Sequence, residues 1–96
     1  MSEQFLERIS KEFGPGERLL VRGMMGEGYS EESAVIGVGL THKGIKLGDK
    51  MKLVGKALPR LREVRKAVQI ARHFNLPPFH SVLSGSLTKI EAFFDQ

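Results

Sequence analysis

The chain contains no cysteine and no tryptophan, only one tyrosine and only four prolines. Without cysteine it forms no disulfide and holds no metal through thiolates, which fits a reducing compartment. Long apolar runs are also missing: the longest are a few residues, far short of the ~20 needed to cross a bilayer. The N-terminal stretch "MSEQFLERIS" carries acids early and has no apolar core of signal-peptide length. The expectation is a soluble, cytoplasmic chain with no membrane contact. Few prolines and a hydrophobic content of 41% exclude a disordered composition.

Acids are scarce in one region. Between His42 and His73 only Asp49 and Glu63 stand among ten Lys or Arg, whereas the rest of the chain holds five basic residues and nine acids. Charge sorted in this way builds a positive local field, and such fields attract polyanions. With 96 residues the chain makes one domain, residues 1–96, near the lower end of what folds alone. The thin stability margin of that size favours a homodimer or another partner that buries further surface.

The local patterns suggest a mixed fold. Residues 2–13 predict a helix, with Ser2 as cap and Phe5, Leu6, Ile9 and Phe13 on one face. Gly14-Pro15-Gly16 ends it. "ERLLVRGM" leans towards a strand, and "MGEGYSEES" reads as a polar loop. "SAVIGVGL" alternates, with Ala34, Ile36, Val38 and Leu40 on one side and Val35, Gly37 and Gly39 on the other. "IKLGDKMKLVGK" alternates again, with Ile45, Leu47, Met51 and Leu53 inward and Lys46, Lys50 and Lys52 outward; Gly48-Asp49 predicts a bulge or tight turn. Pro59 suits the first turn of a helix that runs to Phe74 and stops before Pro77-Pro78. Residues 79–86 read as a short strand or link. Thr88 and Glu91 form a capping-box pattern for a short final helix with Ile90, Phe93 and Phe94. The expected fold is α+β, in the order α-β-β-β-α, with an antiparallel sheet and a short C-terminal helix. That order is similar to the order of elements in the double-stranded-RNA-binding domain, an analogy of order alone, because "LVGKALPRLREVRK" shares only a cluster of basic residues with that family.

The helix from Pro59 carries the strongest functional signal. At ~100° per residue, Leu61, Val64, Ala67, Val68, Ala71 and Phe74 share one half of the wheel and Ile70 lies at its margin. Arg62, Arg65, Lys66, Gln69, Arg72 and His73 share the other, Glu63 lies at the boundary, and Arg60 reaches solvent from the first turn. Most charged helix faces are merely solvated, but such faces usually mix signs, because opposite charges at i,i+4 help a helix and like charges oppose it. Here the bias also extends back through Lys43, Lys46, Lys50, Lys52 and Lys56. The expected function is a small non-catalytic nucleic-acid-binding module that contacts phosphates through these eleven residues, with Gln69 and His73 adding hydrogen bonds. The alternative is a regulatory or inhibitory module whose basic face docks an acidic protein. Phe5, Phe13, Phe74 and Phe93 fall at core positions, which argues against a single-strand stacking platform; Tyr29 is the aromatic expected at the surface. A homodimer would form if the apolar face of the final helix lay outside.

Enzyme chemistry finds no support. Gly37 and Gly39 resemble a phosphate loop only in spacing, since no helix start follows. Ser86 to Lys89 match S-x-x-K without the companion motifs. His42, His73 and His80 have no metal-ligand spacing, so no metal or cofactor is expected. A helix-turn-helix over Val68–Leu87 would need an apolar residue one place before Val82 and no Pro77-Pro78 in its turn.

Overall fold

The computed structural model describes residues 3–74, and among them every regular element is helical. The elements are α1 (Glu3–Ser10), α2 (Pro15–Gly26), α3 (Glu31–Thr41), α4 (Leu47–Ala57), a 3-10 turn (Leu58–Arg60) and α5 (Leu61–Phe74). The expected α+β fold with an antiparallel sheet is therefore corrected, and with it the likeness in element order to the RNA-binding domain. "ERLLVRGM", "SAVIGVGL" and "IKLGDKMKLVGK" lie in α2, α3 and the α4 region, and no strand occurs among the described residues.

The decisive element is α3. Every residue from Ser33 to Thr41 is buried. A helix enclosed on all sides has no polar face, so its sequence carries no 3.6-residue rhythm and reads as an apolar run that a strand could also produce. The main helix–helix contacts all involve α3, which packs against α1, α2, α4 and α5. Gly37 and Gly39 let its neighbours approach. A Cβ on Gly37 would fall 2.6 Å from the Ala67 Cβ and 3.0 Å from the Ala67 carbonyl carbon, both in α5. A Cβ on Gly39 would fall 2.9 Å from a Leu53 methyl in α4 and 3.1 Å from an Ile9 methyl in α1. Two residues apart on a helix is ~200° of rotation. Thus α5 lies on one flank of α3, and α1 and α4 lie on the other.

Local signals explain the remaining helices. Pro15 opens α2 at a position where its missing N–H is no loss, and Glu17 reaches back to accept the Gly14 N–H at 3.0 Å. Gly28 turns the chain between α2 and α3 with φ at 101°. Ser30 caps α3 by accepting the Ser33 N–H at 3.2 Å, and Glu31 and Glu32 complement the helix dipole in its first turn. The period-2 reading of residues 45–56 fails because i and i+2 do not share a helix face. Ile45 and Leu53 are buried as expected, but Leu47 and Met51 are 75% and 67% exposed. Likewise Val21 is buried while Leu19 faces solvent. The expected bulge at Gly48-Asp49 is the first turn of α4.

The chain stop at Pro77-Pro78, the strand or link at 79–86, the Thr88–Glu91 capping box and the final apolar helix lie outside the described residues. So do His80, the S-x-x-K match and most of the helix-turn-helix test.

The close approach at Gly37 generates a stability prediction. Gly37→Ala should destabilise the fold by about 1–3 kcal/mol, because the new methyl meets backbone as well as a side chain. Gly39→Ala should cost less, because it meets the ends of Leu53 and Ile9. Urea unfolding followed by circular dichroism measures both.

Candidate nucleic-acid interface

α5 keeps the arrangement expected from its sequence. Val64, Ala67, Val68 and Ala71 are buried against α3. Arg62, Lys66, Gln69 and His73 are all exposed, and their i, i+4, i+7, i+11 spacing sets them in one ridge along the outer face, ~16 Å long at 1.5 Å per residue. Arg65 is exposed beside the ridge and Arg72 is half-buried; both engage other groups of the chain. His73 stands edge-on to Phe74 with ring centroids 5.2 Å apart. Phe74, expected in the core, is instead exposed.

The single acid of α5 stands half-buried at the edge of the ridge and is hydrogen-bonded by α3. Glu63 accepts hydrogen bonds from the Ser33 hydroxyl at 2.7 Å and the Ser30 N–H at 3.0 Å. It thereby ties α5 to the N-terminus of α3 and satisfies the hydroxyl of Ser33, which is fully buried. The Ser33 hydrogen bond above all, then that from the Ser30 N–H, holds the Glu63 carboxyl below the ordinary glutamate value. Arg60 completes the cluster: it donates to the Ser30 Oγ at 3.3 Å and pairs with Glu32 at 3.2 Å. A groove of about 560 Å³ opens at the foot of the ridge, lined by Arg62 and Lys66 together with Tyr29, Glu27 and Glu63. Tyr29 is half-buried there and packs on the core, so it is less free than its glycine-rich loop suggests.

The lysines of α4 do not share one face. Lys50 and Lys52 lie ~200° apart on the helix rather than side by side on a strand. Lys50 is half-buried, and its burial lowers the ammonium pKa from the ordinary lysine value. Lys52 joins Lys56, one turn on, and their ammonium groups lie 5.6 and 5.8 Å from the centre of the Phe5 ring. Arg8 of α1 is the third cation there, at 5.3 Å. Arg8 also donates two hydrogen bonds to Asp49, at 3.1 and 3.2 Å, and these above all lower the Asp49 pKa. Lys46 is exposed at the N-cap of α4, and Lys43 is exposed in the preceding turn. His42 is held by Glu17 at 2.9 Å and by the edge of Phe13, so it is anchored rather than free at the surface.

The structure therefore gathers Arg62, Lys66, Gln69 and His73 into one ridge and places Lys52 and Lys56 on the opposite flank of α3. Phe5 and Arg8 are cluster members that sequence reasoning did not assign; a wheel of residues 3–10 alone does not reveal that α4 packs beside them. Among the described residues, no three His, Asp or Glu converge to hold a metal ion, and no helix is long and apolar enough to cross a membrane. No known family, curated protein or solved structure matches this chain.

The Glu63 cluster predicts a pH dependence. A carboxyl depressed on folding stabilises the fold fully above the ordinary glutamate range and loses that contribution as pH falls through its folded-state value. Glu63→Gln should lower stability by about 1–2 kcal/mol at neutral pH, a figure that allows for the partial exposure of the group. The gap to the unaltered protein should narrow as pH falls below the ordinary glutamate range. Urea titrations across that fall in pH measure it.

Proposed function

We propose that this protein is a small non-catalytic nucleic-acid-binding module that grips the phosphates of a duplex with the outer ridge of α5. The observation that carries the reading is the alignment of Arg62, Lys66, Gln69 and His73, all exposed, along the outer face of α5. Arg62 and Lys66 are exposed one turn apart, while the only carboxylate on the helix, Glu63, stays ionised beside them and is hydrogen-bonded by α3. Cations spaced along a straight helix supply affinity and salt dependence without choosing a sequence. A helix with side chains is ~10–12 Å across and fits a major groove ~12 Å wide. Gln69 and His73 add hydrogen-bonding groups along the same line. The absence of cysteine fits a cytoplasmic setting.

In this reading the contacts come from α5, while Lys43, Lys46, Lys50, Lys52 and Lys56 contribute mainly to the long-range field. The expected homodimer rests on residues outside those described and adds nothing here. The alternative is a regulatory or inhibitory module that docks an acidic protein with the same basic face.

Binding to generic duplex DNA and RNA, followed by fluorescence anisotropy, tests the proposal. Affinity should be micromolar at low salt and fall steeply between ~50 and ~200 mM, with a logarithmic slope near −3 for about three neutralised phosphates. Arg62→Glu with Lys66→Glu should weaken binding by about tenfold or more and leave the helical circular-dichroism signal in place. Lys52→Glu should change it by less than about threefold. No binding to either duplex at low salt refutes the reading.

A further inference from the structure

We infer that the outer face of α4 is a docking surface for an acidic amphipathic helix of another protein. This surface is separate from the α5 ridge and does not depend on nucleic-acid binding.

Leu47, Met51 and Leu58 are 75%, 67% and 55% exposed, and their spacing sets them within ~40° of one another around α4. Large apolar side chains aligned on one exposed stripe, rather than scattered singly, mark an interaction surface. Beside them lie Gly48 and Gly55, seven residues apart and therefore on one line. A Cβ at either position would meet nothing within 4 Å. Glycine at an exposed helix position is less favourable than alanine, and nothing among the described residues fills the space these two leave open. Their lack of side chains leaves the α4 backbone open to close approach beside the leucine and methionine side chains.

The charges frame this strip. Lys52 and Lys56 lie on the far side of the glycines, with their ammonium groups over Phe5; on the other flank, beyond Val54, Lys50 is half-buried and Lys46 is exposed at the N-cap. The one acid of α4, Asp49, is occupied by Arg8. An apolar stripe with a lysine rim is complementary to a helix whose own apolar stripe is flanked by glutamate or aspartate. The two glycines let the backbone of such a helix come close. A flat anionic lipid surface would gain nothing from that close approach and would meet only three well-exposed apolar side chains.

The test uses the full chain with isotope-labelled methionine methyl groups. Met51 reports on the stripe, Met24 is buried, and Met25 lies on α2. The probe is a synthetic helical peptide of about four turns with leucine at i, i+4, i+7 and i+11 and glutamate on both flanks; the control carries lysine at the glutamate positions. The acidic peptide should shift the Met51 signal while leaving Met24 and Met25 in place, and it should bind at least about tenfold tighter than the control. Saturating duplex DNA should leave the Met51 signal and the peptide affinity unchanged. Gly48→Ala with Gly55→Ala should raise the melting temperature yet weaken peptide binding by about fivefold or more, opposite signs that a purely internal role of the glycines would not produce. The inference is overturned if the acidic peptide does not move Met51, or if both peptides bind equally. It is also overturned if Met51 responds to phosphatidylglycerol vesicles and not to the peptide, or shifts on dilution of the protein alone, which would make the occupant a lipid surface or a second copy.

Discussion

The close approach of α3 and α5 at Gly37 governs the arrangement of everything else. A helix buried along its length must let its neighbours come near, and the missing Cβ at Gly37 brings the Ala67 backbone against it. Gly39 does the same on the opposite flank for Leu53 and Ile9. These two contacts divide the molecule. They set which side of α5 is covered and which side of α4 is covered, so the outward faces of the two basic helices look away from each other. The positive charge of residues 42–73 is continuous in sequence and divided in space.

That division gives the two faces different chemistry. On α5 the apolar residues are nearly all consumed by α3, and the outside is a polar ridge suited to phosphates. On α4 the core takes Leu53 and Ala57 and leaves Leu47, Met51 and Leu58 outside, so lysine and apolar surface lie together. The Glu63 cluster joins the two themes. It closes the N-terminus of the buried helix through Ser30 and Ser33, and the same hydrogen bonds fix the one acid of α5 beside Arg62 and Lys66.

α5 is legible in the sequence because it lies at the edge of the fold, with one covered face and one wet face. Its apolar period is clean, and Pro59 marks its approach. α1 is legible for the same reason. α3 is not, because full enclosure erases the periodicity from which a helix is read, and its Ala-Ile-Val-Leu alternation imitates a strand. Its N-terminal signal is nevertheless present: Ser30 followed by Glu31, Glu32 and Ser33 is a cap with a dipole-matched first turn. Pro15 marks α2 similarly. α4 is obscured by a different cause. Leucine and methionine on its exposed side and glycine at two outer positions spoil the amphipathic pattern, and both features have a reason if another chain covers that side. Within the site, the α5 group was readable from one helix wheel. The partition of the lysines was not, since it depends on how α1 and α4 pack.

The most direct measurement of the central contact is a double-mutant cycle on Gly37→Ala and Ala67→Gly, read by urea unfolding. Removing the Ala67 methyl makes room for the one added at position 37, so the double variant should be more stable than the sum of the single effects by at least about 1 kcal/mol. Effects that add to within about 0.5 kcal/mol would mean that the Ala67 methyl does not press on position 37, and would contradict the close approach of α3 to α5.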